Sequence, residues 1–303
     1  MADGSEVRVD VEGRTLTLSN LGKVLYPQTG TTKGEVLNYY AQVAPVMLPH
    51  LKDRPVTRVR WPHGVGGSSF FEKNAPQGTP SWVRTARVPT TGSRAESRHG
   101  DHLDFPICDD LATLTWLANL AALELHVHQW RVGRNGQPRN PDRLVIDLDP
   151  GEGAGLHECA AVALMVRERL AERDLDTWAV TSGSKGLHLY AALPGRRDPE
   201  GTTALAKEVA EELQQAHPTR VTATMTKARR SGKVFLDWSQ NAGSKTTLSP
   251  YSLRGKDKPY VATPLSWDEV EAGADDPVAL EQLRFEEVVE RVADHGDLLD
   301  GLH

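Results

Sequence analysis

The chain is poor in the residues that would staple it, anchor it or bind metal through sulfur. Only two cysteines, Cys108 and Cys159, occur in 303 residues. They show no pairing pattern, which excludes a disulfide framework and points to a reducing compartment. Two thiols cannot build a Cys-rich zinc site, although His126 and His128 could assist one. The uncharged, mostly apolar stretch Leu111–Leu123 carries Thr and Asn and is too short to span a bilayer. The opening M-A-D-G-S-E-V lacks the basic-then-apolar pattern of a secretory signal. No repeat or low-complexity tract is present. Walker A spacing is missing too, both in the 182–186 turn and at Gly243–Thr246. What remains is the composition of a cytoplasmic chain, 39% hydrophobic and 25% charged, large enough for one domain or two lobes.

Positive charge is scarce overall but concentrated. The formal net charge is -6, yet nine Lys/Arg lie between Arg220 and Lys258 against only Asp237 and Asp257. A basic block within an acidic protein creates a local field that suits a polyanion, although a solvated charged face gives the same count.

The stretch Arg143–Pro150, R-L-V-I-D-L-D-P, reads as a buried strand stopped by a Pro-Gly turn. Alternation places Leu144, Ile146 and Leu148 on one face and Val145, Asp147 and Asp149 on the other. Adjacent carboxylates repel and burial penalises both, so a cation is expected between them. Hard divalent ions take carboxylate oxygens, and two of them can hold a phosphoryl group for in-line attack. In K-V-F-L-D-W, Lys233, Phe235 and Asp237 share a face, which puts a third strand-borne acid inside the basic block. Residues 178–193 read as strand, Gly-rich turn and strand. Ser182, Ser184 and Lys185 in that turn can receive a polyphosphate, and His188 and Tyr190 share a face beyond it.

Elsewhere the pattern predicts a hairpin over 7–18 and a turn over 19–27. A Thr32/Glu35 capping box should start a helix from Lys33 to Met47. Lys33 then opposes the helix dipole, which is tolerable if an anion binds there, and Lys23 lies in the preceding loop. A strand is expected over 55–61. Of the adjacent Phe70 and Phe71, one should be core and the other partly exposed, unless the pair forms a base-stacking surface. Residues 89–105 look like a long polar loop or hairpin. A buried helix over 111–125 is expected behind Asp109 or Asp110, followed by helices over 156–172 and 202–215 and a last helical region capped by Ser266.

D-L-D-P at 147–150, S-G-S-K-G-L-H-L-Y at 182–190, and K-V-F-L-D-W-S-Q-N with the following K-T-T and P-Y-S-L-R-G resemble the polymerase domain of bacterial ligase D. N-L-G-K-V-L-Y-P, T-T-K, F-F-E-K and A-A-L-E-L-H-V fit the same pattern, which spans nearly the whole chain. That domain belongs to the archaeo-eukaryotic primase superfamily, and the likeness is to mycobacterial or other actinobacterial members. The resemblance implies an α+β primase-like core of mixed and antiparallel sheets flanked by helices. It implies one domain over 1–303, with an N-terminal lobe over 1–105 and a catalytic lobe over 106–303.

The activity so implied is template-dependent nucleotidyl transfer that fills gaps and extends DNA ends in non-homologous end joining. Ribonucleotides would be preferred, and two Mn2+ or Mg2+ ions used, without zinc. Asp147, Asp149 and Asp237 match the metal-binding acids. His126, Ser182, Lys185, His188, Arg230, Lys245 and Arg254 match the nucleotide site. Asn20, Lys23 and Lys33 match the 5′-phosphate pocket, and Phe70 and Phe71 the template-stacking aromatics. The 89–105 segment resembles a loop that helps pair two DNA ends. His128 stands where the family pattern has Pro, so its role is open. Implied partners are gapped duplex and double-strand ends, NTP or dNTP, Ku, and ligase or phosphoesterase modules, in the bacterial nucleoid. Two other readings use some of the same residues. A two-metal nuclease also clusters acids but has no need of Lys185 and His188, whereas a non-catalytic end-bridging module has no need of the acids.

Overall fold

A computed structural model describes residues 6–89 and 102–302. The expected hairpin forms as β1 (Glu6–Val11) and β2 (Arg14–Ser19), followed by a small pair, β3 (Val24–Tyr26) and β4 (Thr31–Thr32). The Thr32/Glu35 capping box is present. The Glu35 N–H donates to the Thr32 hydroxyl at 3.3 Å, and the Thr32 N–H donates to the Glu35 carboxylate at 2.7 Å. It starts α1 (Lys33–Leu51). Strands β5 (Val56–Arg60) and β6 (Phe70–Glu72) pair antiparallel, as do β7 (Thr85–Pro89) and β8 (His102–Pro106). Most of the expected 89–105 loop lies outside the described residues.

Asp110 caps α2 (Leu111–Asn119), accepting from the Thr113 N–H at 2.8 Å. The helix expected to run to residue 125 stops at Asn119. Ala121 adopts a φ of 58°, and the chain resumes as β9 (Ala122–Val127). An all-apolar run cannot distinguish a buried helix from a strand buried on both faces. Here β9 is sandwiched between β5 and a later strand, and tertiary pairing decides the outcome.

The second half comprises β10 (Arg143–Pro150), α3 (Leu156–Ala171), β11 (Thr177–Thr181), β12 (Leu187–Ala192), α4 (Pro199–Ala216) and β13 (Val221–Thr222). It continues through β14 (Val234–Asp237), β15 (Thr247–Leu248), β16 (Pro264–Leu265), α5 (Trp267–Asp275) and α6 (Phe285–His295). The class is α+β, as expected. One sheet has the order β13-β14-β10-β12-β11-β16, antiparallel except for β13 with β14. A second, β15-β9-β5-β6, draws β5 and β6 from before residue 105 and β9 and β15 from after it.

Leu144, Ile146 and Leu148 of β10 are buried with Val162 and Val166 of α3 and Val209 and Leu213 of α4. Val145, on the opposite face, packs with Val180, Tyr190 and Leu248. Each buried aliphatic is worth roughly 1.5–3 kcal/mol. A one-residue slip of β10 would expose three of them and drive Asp147 and Asp149 into the helices. The register is therefore set by the apolar face.

Next to Val145, β14 no longer flanks β10, and the buried Asn241 takes its place. Asn241 Oδ1 accepts from the Val145 N–H at 2.8 Å, and its Nδ2 donates to the Val145 carbonyl at 2.7 Å. Asn241→Ala would strand both backbone groups. We expect a loss of about 2–3 kcal/mol in urea denaturation, and an unchanged midpoint would remove this role for Asn241.

Candidate functional site

The face of the large sheet turned away from α3 and α4 carries the acids. In the ladders Asp147 lies directly opposite His188 on β12 and Asp237 on β14, and Asp149 lies opposite Phe235. His188 Nε2 is 3.6 Å from Asp147 Oδ1. Burial, then the charges of Asp149 and Asp237, raise Asp147 well above the usual carboxylate range. Asp149, although it reaches solvent, is also raised, first by desolvation and then by Asp237. Arg230 and Arg254 oppose both shifts without reversing them. Asp237 accepts from the Ser239 N–H (3.0 Å), the Ser239 hydroxyl (2.6 Å) and Gln240 Nε2 (2.8 Å), capping a short 3-10 turn over 238–241. As the side chains stand, no three His, Cys, Asp or Glu among the described residues are gathered tightly enough to enclose a metal ion. Cys108 and Cys159 are buried free thiols.

The turn between β11 and β12 is held by its own first residue. Ser182 Oγ accepts from the N–H groups of Ser184 (3.2 Å) and Gly186 (3.1 Å). Lys185 is exposed at its tip. Gly186 is obligatory for space, because a Cβ there would lie 1.9 Å from the Leu148 carbonyl oxygen. His188 is 2% exposed. Burial, then Arg254 and His126, push its pKa down to about 3, so the ring is neutral.

The second sheet reaches the same place through β9. His126 Nε2 is 2.8 Å from Glu124 Oε2, two residues away on the same strand face. Glu124 also accepts from Arg254 Nη1 at 3.3 Å and from the Gly255 N–H at 3.0 Å. Burial alone would raise this carboxyl. The His126 bond and the Arg254 charge outweigh it and bring the pKa down to about 2. Arg254 Nε in turn donates to the Ser182 carbonyl at 2.9 Å. Glu124 thus joins His126, Arg254 and the Ser182 turn, a connection the sequence reading missed. Its signal is the i, i+2 spacing to His126, hidden because the apolar run over 111–125 reads as helix.

Arg230 lies over the Phe235 ring at 3.5 Å, with Nη2 donating to the Met225 carbonyl at 2.8 Å. Lys245 is exposed. Phe70 and Phe71 are 48% and 60% exposed on β6, so neither is a core residue. This overturns the expectation that one of them would be core. On an edge strand, burial depends on what covers the face, and no described residue buries either ring. Phe71 approaches His126 edge-on, with ring centroids 6.5 Å apart.

Lys33 is 5% exposed, and its ammonium donates to the Ser19 carbonyl at 2.6 Å. Its backbone N–H donates to the Lys23 carbonyl at 2.8 Å, and the Lys23 N–H donates to the Asn20 carbonyl at 3.0 Å. Burial, then Lys23, push the Lys33 pKa down to about 8. Asn20 holds a φ of 55° at this turn. These three residues form a separate basic corner at the start of α1, tied to the main site only through structure: the Tyr26 hydroxyl, on β3, donates to the Arg254 carbonyl at 2.8 Å.

Residues 32–299 match the family described as LigD, primase-polymerase domain. The chain is 50% identical over 307 residues to the multifunctional non-homologous end joining protein LigD of Mycobacterium bovis, covering 100% of this chain and 38% of that protein. It is 33% identical over 258 residues to the bifunctional LigD of Bacillus subtilis, covering 85% of this chain and 40% of that one. The chain therefore spans well under half the length of these relatives. Among solved structures it is similar to the polymerase domain of Mycobacterium tuberculosis ligase D in complex with DNA. The TM-score is 0.88 at 50% identity, over 95% of this chain and 97% of that one. The primase-like fold is therefore the one observed, and the chain belongs to the LigD primase-polymerase domain family.

Proposed function

We propose that this domain is a template-dependent nucleotidyltransferase that fills gaps and extends DNA ends, preferring ribonucleotides, in bacterial non-homologous end joining. It would act in the cytoplasm, at the nucleoid, beside Ku and ligase or phosphoesterase modules. No helix among the described residues is long and apolar enough to cross a membrane. The observation that carries the reading is the cross-strand register of Asp147 with Asp237 and His188, beside the Ser182–Gly186 turn and Arg254.

The donor set fits hard divalent cations: all three acids offer oxygen, and two have ionisation that their surroundings oppose. Asp147, Asp149 and Asp237 would hold two Mn2+ or Mg2+ ions. When bound, these neutralise the acids and the triphosphate and lower the pKa of the primer 3′-hydroxyl. Lys185, Arg230, Lys245 and Arg254 supply charge to the phosphate oxygens, with Ser182 ordering the turn beneath them. His188, neutral, and His126 beside Glu124 offer hydrogen bonds to the nucleotide. The exposed Phe70 and Phe71 suit stacking against the template. Asn20, Lys23 and Lys33 suit a 5′-phosphate at the helix N-terminus.

Three outcomes test this assignment. Asp147→Ala should cut primer extension on a gapped duplex by about 10³-fold or more, the rate equivalent of roughly 4 kcal/mol of lost charge stabilisation. Anisotropy should show end binding within about twofold of the parent, and extension near the parent rate would overturn the catalytic role.

Lys33→Ala should weaken binding about tenfold for 5′-phosphorylated ends only, and equal loss on 5′-hydroxyl ends would remove the pocket. Because the folded pKa of Lys33 is about 8, against 10.5 ordinarily, its cation is lost as pH rises through 8, and phosphate preference should fall between pH 7 and 9. The sign for folding is opposite. The unfolded chain binds the extra proton between those two values, so this group's contribution to stability rises there.

Glu124→Gln should raise the nucleotide KM about tenfold with a smaller change in kcat, since it loosens His126 and Arg254 without removing either. An unchanged KM in steady-state extension would show that the Glu124 connection is structural only.

A further inference from the structure

A cavity of about 290 Å3 lies just past the end of β9, at His128 and Trp130. Lys73, Phe105, His128, Trp130, Asn140 and Ser244 contribute to its lining, and none of the residues assigned to the metal, nucleotide, template or 5′-phosphate sites does. Its volume is near the lower end of the range for small-molecule sites.

The walls are aromatic. His128 stacks on Trp130 with ring centroids 4.4 Å apart and planes 21° apart, and Phe105 meets His128 edge-on at 5.7 Å. Trp130 is satisfied, because its Nε1 donates to the Gly243 carbonyl at 2.9 Å. His128 is held only loosely. It is 2% exposed, and its ring meets the backbones of Lys245 and Gly243 as hydrogen-bond partners, but neither contact has ordinary distance and angle. Burial and then Lys73 push its pKa down to about 3, so at pH 7 one nitrogen is a donor and the other an acceptor. A buried pair held so loosely is open to a better-placed partner.

The polar groups of the lining narrow the chemistry. Lys73 and Arg139 bring positive charge, while Asn140 and Ser244 bring donors and acceptors. A metal cation would face the charges of Lys73 and Arg139 with no carboxylate in the lining to offset them. A lipid chain would bury charged side chains, and a phosphate alone would leave the aromatic walls unused. A planar heterocycle with hydrogen-bonding edges, attached to a phosphodiester, uses every feature. The location agrees, because Lys73 directly follows Phe70, Phe71 and Glu72 of β6, and its pKa is lowered first by burial and then by the nearby Lys245.

We propose that this cavity takes one unstacked nucleobase, its edge hydrogen-bonded to His128 and its phosphate held by Lys73 and Arg139. The base could be presented by the single-stranded template or by a free nucleoside. The first of these rests on the reading of the domain as a template-dependent polymerase.

The test is binding of a labelled gapped duplex, read by anisotropy without divalent ion or nucleotide, with an abasic site moved one template position at a time. At one position, loss of the base should weaken binding about tenfold. That penalty should vanish in His128→Ala and persist in part in His128→Asn, which keeps a donor and an acceptor. Thermal melting checks that the variants fold. If His128→Ala does not, Asn140→Ala at the cavity supplies the same comparison.

Adenosine titrated against tryptophan fluorescence separates the two sources. Quenching that is lost in the His128 variant, with no sensitive template position, assigns the cavity to a free nucleoside. The absence of both effects, or effects identical in parent and variants, would overturn the proposal. Since synthesis is not measured, that failure would leave the polymerase reading standing.

Discussion

Like charges held side by side are the constraint on which the rest of this molecule depends. Asp147 has a carboxylate across the ladder at Asp237 and another two residues along at Asp149. Directly opposed like charges weaken a sheet. Left to themselves these strands would slip or separate. They are held because the other face of β10 is locked among aliphatics of α3 and α4, and because Asn241 completes the hydrogen bonding where β14 ends. The sheet is stable in spite of its acidic face, and the raised pKa values of Asp147 and Asp149 register that tension.

The second constraint is how two sheets are made to meet at one place. The large sheet supplies the acids, His188 and the Ser182 turn, while the small one supplies His126 and the exposed phenylalanines. Glu124 is the shared anchor: buried, ionised, and bonded to one group from its own strand and two from the 254–255 loop. Arg254 passes the connection on to the Ser182 carbonyl. An ionised carboxylate in such surroundings is sustained only by several charge-assisted partners at once. Loss of any one of them is felt by the others.

Much of the large sheet was legible because period-two alternation leaves a mark that burial on one face enforces. R-L-V-I-D-L-D-P and K-V-F-L-D-W declared which side chains share a face, and Thr32 and Glu35 declared a helix start through their own hydrogen bonds. The stop of α2 at Asn119 was not legible. Leu111–Leu125 is apolar almost throughout, and the left-handed turn at Ala121 is made by a residue that carries no turn signal. That single misreading concealed β9, and with it the pairing of Glu124 with His126. Phe70 and Phe71 were ambiguous for another reason. Whether an edge strand is covered depends on distant chain, which no local pattern encodes. The His128 cavity is assembled from residues as far apart as Lys73 and Ser244, beyond the reach of any motif.

The contact between Gly186 and Leu148 carries one more implication. The turn expected to cradle phosphates and the strand that carries the acids touch backbone to backbone, with no room for even a methyl group. A steric error in the turn would therefore not remain local. It would displace Leu148, and with it the adjacent Asp149, turning a misfit of shape into a misplacement of charge.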